Sequence, residues 1–90
     1  MPTLRESIDP ELAIIRTVAR SLDGTARQAL ESARFNLFAA AEAGDRALAR
    51  RWLDACFVAV ATVDLAPFVR ASVDRALACI GAEIDGKAVA

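Results

Sequence analysis

The sequence predicts an all-α protein, an antiparallel four-helix bundle. Three observations predict it. Apolar residues recur three and four apart in four separate segments. Glycines or helix-start residues punctuate the gaps between those segments. No stretch alternates apolar and polar residues with the period of two that a half-buried strand needs, apart from one ambiguous run in helix three. The helices are expected at roughly 10–22, 26–43, 46–63 and 65–80. Ninety residues make one domain, placed at 9–82 between an N-terminal arm, 1–8, and a C-terminal tail, 83–90.

Asp9-Pro10-Glu11 reads as the first helix start. Asp9 can accept from free amides, Pro10 suits the first helical position, and Glu11 favours the positive end of the dipole. Leu12, Ile15, Ala19 and Leu22 form its stripe, with Ile14 and Val18 beside it. Asp23-Gly24 ends it through a left-handed glycine. Thr25 and Gln28 have the spacing of a capping box for the second helix. Its stripe is Ala26, Leu30, Ala33, Leu37 and Ala41. Gly44 closes it and Asp45 caps the third helix at once, so helices two and three form a tight hairpin.

Leu48, Trp52, Cys56, Ala59 and Val63 line one face of helix three, widened by Ala49, Leu53 and Val60. The run Cys56–Val63 has strand-like β-branched content, but no Gly, Pro or Asn interrupts 45–65, so helix is the reading adopted. Asp64 is the expected cap of helix four. Pro67 either falls in its first turn or kinks one longer helix. Val69, Val73, Ala76, Leu77 and Ile80 form the last stripe, and Gly81 or Gly86 ends the order.

The second half of helix three is apolar nearly all round. Phe57 stands beside the stripe, Val58 almost opposite it, and only Thr62 is polar. A helix apolar all round is buried all round, yet each helix of a ninety-residue monomeric bundle keeps a solvent face. Phe35 on helix two likewise points away from Leu37. These residues predict a homo-oligomer, a dimer or larger, with Phe35, Trp52, Phe57 and Val58 as interface anchors. Composition agrees: 56% of residues are hydrophobic and mean hydropathy is +0.34, high for a soluble monomer.

Eleven basic and twelve acidic residues give a net charge of −1, so bulk attraction to nucleic acid or anionic membrane is absent. The N-terminus lacks the apolar core of a signal peptide, and the longest mostly apolar run, 55–63, is half a membrane span. A cytoplasmic protein is expected. The excess of alanine and arginine points to a GC-rich, bacterial gene. Cys56 and Cys79 are expected to be buried, reduced thiols.

No histidine and no tyrosine occur. That removes the commonest general base and metal ligand and the usual nucleophilic triads. The glycines sit as helix terminators and form no phosphate-cradling loop. A non-enzymatic protein with no catalytic, cofactor-binding or metal residues is therefore expected, acting through protein–protein contact as a small accessory, adaptor or regulatory subunit. Its expected partners are itself and, secondarily, another protein; no membrane is implied and nucleic acid is disfavoured.

The charges read mainly as helix surface. Arg27 with Glu31, Arg50 with Asp54 and Arg70 with Asp74 have pairing spacing. Arg16 with Arg20, and Arg46 with Arg50 beside Arg51, are like-charged neighbours. These five are candidate contacts for an anion or acidic partner, and carry the alternative reading of a nucleic-acid-binding regulator using helices one and three. The Gly44-Asp45 turn followed by Ala49, Leu53 and Cys56 resembles the hairpin of tetratricopeptide repeats. The preceding helix does not fit, with Ala33, Asn36, Leu37 and Ala40 at its key places, and no second copy follows. As a DNA-binding helix-turn-helix, the same stretch would bury Arg50. No family is recognised.

Overall fold

A computed structural model describes residues 3–86. The chain forms four helices: α1, Leu4–Arg20; α2, Gly24–Glu42; α3, Arg46–Ala61; and α4, Pro67–Ile84. Each packs against its neighbours in chain order, α1 closes the ring against α4, and the backbones of the two diagonal pairs stay apart. This is the antiparallel four-helix bundle that the helical periodicity predicts. The α1–α2 pair therefore forms one side of the ring and the α3–α4 pair the opposite side.

The first helix corrects the sequence reading. It starts at Leu4, not near Pro10, so most of the expected N-terminal arm is helical. Thr3 is the cap: its hydroxyl accepts from the Glu6 amide at 3.2 Å and donates to the Glu6 carboxylate at 3.1 Å. This T-x-x-E spacing is a start signal upstream of the one chosen. Leu4 and Ile8 are buried against the core, each contributing about 1.5–3 kcal/mol. An internal proline costs roughly 3 kcal/mol. Burial of two large side chains thus offsets Pro10, and both Pro10 and Glu6, whose carbonyl loses its amide partner, are exposed.

The other boundaries follow from caps. Gly24 has φ +60° and opens α2 after Asp23, so the expected Thr25–Gln28 box is not the cap. Gly44 has φ +73°, and the Asp45 carboxylate accepts from the Leu48 amide at 3.0 Å. Both are as expected for the tight hairpin. Pro67 starts α4 as a separate helix, preceded by Ala66 in place of Asp64. Gly81 is buried inside α4, and Gly86, at φ +73°, follows its end. The expected C-terminal tail is helical through Ile84; its last residues, 87–90, lie outside the described residues.

The core joins Ile8, Leu12 and Ile15 of α1, Leu30 and Leu37 of α2, Leu53 and Cys56 of α3, and Val73, Leu77 and Ile80 of α4. The stripe of α3 is rotated relative to expectation. Ala49, Leu53, Cys56 and Val60 are buried, while Leu48 is exposed and Trp52 and Ala59 lie at the rim. Ala33, Ala40 and Ala41 of α2 are buried too, small side chains that allow the α2 and α3 backbones to approach closely. Among the described residues no helix is long and apolar enough to cross a membrane.

Ile8 is fully buried, so Ile8→Ala should destabilise the protein by about 2–5 kcal/mol in urea unfolding. A change below about 0.5 kcal/mol would show that residues 4–8 are the detached arm first expected.

Candidate interaction surfaces

The α3–α4 pair is joined at both ends by arginine. Arg46 donates to the carbonyls of Glu83, at 2.7 Å, and Ile84, at 2.8 Å. Arg50 donates to the Gly81 carbonyl at 3.2 Å and to the Asp85 carboxylate at 2.6 Å. At the other end Arg70 donates to the carbonyls of Val60, at 2.9 Å, and Val63, at 2.5 Å. The last carbonyls of a helix lack intrahelical donors and carry its negative dipole end. In an antiparallel pair, the start of one helix lies beside the end of the other, where a guanidinium answers both needs. Gly81 lies against the Arg50 bond: a Cβ there would sit in ordinary contact, 3.4 Å, with an Arg50 nitrogen.

These bonds redistribute the charges. Of the three expected four-residue pairs, Arg27–Glu31 forms, at 2.9 Å. Arg50 and Arg70 reach across the bundle instead, and Asp54 and Asp74 have no ion pair among the described residues. Arg46 and Arg50, candidates for an acidic partner, are thus engaged within the fold. Arg51 is exposed and borders a shallow groove with Leu48, Trp52 and Ala55.

Arg16 and Arg20 meet different company. They flank the α1–α2 groove together with Arg27, Arg34 and Phe35, which continues as a groove of about 410 Å³ past Leu12 to Asp9 and Phe38. The Arg34 Nε is buried with no hydrogen-bond acceptor. The Arg5 guanidinium lies 5.8 Å from the centre of the Phe38 ring, a cation–π distance. The place of Arg27 and Arg34 in this groove was not read from the sequence, because only the pairing of α2 with α1 sets them beside Arg16.

The four expected interface anchors are on separate surfaces. Phe35 is 63% exposed in the α1–α2 groove, and Val58 is 73% exposed on the outer side of α3. Phe57 is less exposed, and Trp52 leans on the core rim. By the ~100° turn per residue, Phe57 lies on the side of α3 that carries Arg46 and Arg50 toward α4, and Trp52 on the opposite side. Phe68, also missed, is 75% exposed. It directly follows Pro67, well off the Val73–Leu77–Ile80 stripe, which is the signal that could have found it.

Both cysteines are free; Cys56 is buried and Cys79 partly so. Burial raises the Cys56 thiol from 9.0 to about 12, while the charge of Arg34 pulls it weakly down. Cys79 borders a shallow groove between α1 and α4 with Glu11, Ile14 and Arg75. Among the described residues no three His, Cys, Asp or Glu side chains are grouped to hold a metal ion. Comparison with known proteins finds no matching family model, no similar curated protein and no similar solved structure.

Two measurements check this arrangement. Arg70→Met removes both bonds to the end of α3 and should cost about 1.5–3 kcal/mol in urea unfolding, since hydrogen bonds to a charged group are lost from part-buried carbonyls. The raised Cys56 thiol means that the folded chain holds a proton which the unfolded chain releases. Its contribution is therefore complete below pH 9 and is lost as pH rises from 9 toward 12, by at most about 1.4 kcal/mol per pH unit. Urea midpoints across that range should fall less steeply in Cys56→Ala than in the wild type.

Proposed function

We propose that this protein is a non-enzymatic helical interaction module, a small accessory, adaptor or regulatory subunit, which associates with copies of itself through outward apolar helix positions. The observation that carries the reading is Val58, 73% exposed on a helix whose last two turns are almost wholly apolar. The core is complete without it: every helix contributes fully buried side chains, and Val58 and Phe35 remain in solvent. Single exposed apolar residues are ordinary. Among the described residues six large ones, three of them phenylalanines, are exposed, and this number supports the reading.

Several features support a role without catalysis. Among the described residues the one strongly shifted titratable group is a buried thiol held in its protonated, unreactive form. The grooves are shallow clefts lined by arginine and apolar residues. The nucleic-acid reading draws less support, because Arg46 and Arg50 are bound to the end of α4 and Arg51 is on the helix diagonal to that of Arg16 and Arg20.

Sedimentation velocity at micromolar concentration should give a species heavier than the 9.6 kDa chain. Val58→Glu should reduce it to the single chain, while changing unfolding stability by no more than about 0.5 kcal/mol, as for an exposed position. A wild-type protein that sediments as a 9.6 kDa monomer would overturn the reading.

A further inference from the structure

We propose that the groove between α1 and α2 binds a small phosphate monoester, its phosphate held by Arg16, Arg20 and Arg34 and its apolar body laid along Phe35 and Phe38. The inference goes beyond self-association and does not depend on it, because one chain builds the whole site. The groove has two stretches that share walls: Arg16, Arg34 and Phe35 border both. One stretch continues past Arg20 and Arg27 and is cationic. The other continues past Leu12 and Phe38 and is largely apolar, with Asp9 also bordering it. Their volumes, about 550 and 410 Å³, fall in the range of small-molecule sites, roughly 300–1,000 Å³.

The cationic stretch is made by the pairing of two helices. α1 and α2 run antiparallel, so Arg16 and Arg20, about one turn apart near the end of α1, lie across the groove from Arg27 and Arg34 of α2. Arg27 is paired with Glu31 at 2.9 Å. Arg16, Arg20 and Arg34 have no ion pair among the described residues, and the Arg34 Nε is buried with no acceptor. Asp9 and Glu31 are the carboxylates that border the groove, so four guanidinium groups stand against two carboxylates. Asp23, between the two helices, is exposed and does not border it. The excess of two positive charges matches a phosphate monoester, which carries about two negative charges at neutral pH.

Without a ligand this arrangement is unfavourable. Guanidinium groups four residues apart on one helix repel, and a buried N–H without an acceptor has lost its water for nothing in return. An oxyanion entering among the three arginines relieves both. Arg46 and Arg50 have the same spacing as Arg16 and Arg20, but their donors are used by the end of α4. A phosphate fits the groove better than a carboxylate does. Three guanidinium groups on two helices need more acceptors than two oxygens supply, and a phosphate monoester presents three. Phe35 and Phe38 then offer an aromatic surface to the rest of the ligand.

Isothermal titration at low ionic strength tests this with naphthyl phosphate, naphthoate, naphthalenemethanol and inorganic phosphate. Naphthyl phosphate should bind one per chain and at least about tenfold more tightly than any of the others, since each lacks either the doubly charged head or the aromatic body. Arg16→Gln, at an exposed position, should weaken it about tenfold and leave the unfolding midpoint unchanged. Arg34→Met should weaken it likewise without lowering the midpoint, because it removes a buried donor that has no partner. Phe35→Ala should bring naphthyl phosphate down toward inorganic phosphate, and Arg51→Gln, on α3, should change nothing. The proposal is overturned if naphthyl phosphate does not bind at millimolar concentration, or if naphthoate or naphthalenemethanol binds as tightly. Unchanged binding in Arg16→Gln or Arg34→Met overturns it too, as does an equal loss in Arg51→Gln. Vesicles of phosphatidic acid that retain the protein when naphthyl phosphate does not bind would place the anion on a membrane surface, and that also overturns it. A wild-type monomer that binds naphthyl phosphate supports this proposal and removes self-association; an oligomer that does not bind it does the reverse.

Discussion

Arginine at the helix ends is the interaction on which the rest of this structure depends. Arg46 and Arg50 bind the last carbonyls of α4, and Arg70 those of α3. At the start of its own helix a cation meets the positive end of the dipole, an unfavourable position. It becomes favourable when the antiparallel neighbour presents its negative end at the same level. α3 and α4 therefore need each other in one register: a shift along the pair would separate both sets of bonds at once.

The same bonds shape the surface. Arg50 and Arg70 reach to the neighbouring helix, so the Asp54 and Asp74 carboxylates four residues after them form no ion pair with them. Positive charge concentrates instead between α1 and α2, around Phe35. The alanines act similarly on the apolar groups. The buried small residues of α2 allow α3 to pack closely, with Leu53 and Cys56 in the core and Leu48 outside it.

Much of this was legible in the chain. The hairpin at Gly44-Asp45 was, because a left-handed glycine followed by a capping carboxylate determines both ends of a turn locally. The stripes of α2 and α4 were, because a single period places each residue relative to its neighbours. The start of α1 was not. Asp9-Pro10 is the stronger local signal, and it yields to the burial of Leu4 and Ile8, which needs the other three helices in place. The candidate surfaces were half legible. The exposure of Phe35 and Val58 follows from phase within one helix, while the grouping of Arg16 with Arg34, and the separation of Phe35 from Val58, follow from which helices are neighbours.

The sequence by itself determined four helices, the hairpin, the core stripes of α2 and α4, and the presence of large apolar groups that the core leaves outside. These depend on contacts within a few residues and on a repeat of about 3.6, both written in the order of amino acids. Only the tertiary structure decided which arginines are free, which carboxylates are bare and which exposed phenylalanine stands beside which charge. A long side chain such as arginine reaches several ångströms past its own helix, so its partner is selected by the helix lying alongside and not by the residue four places on.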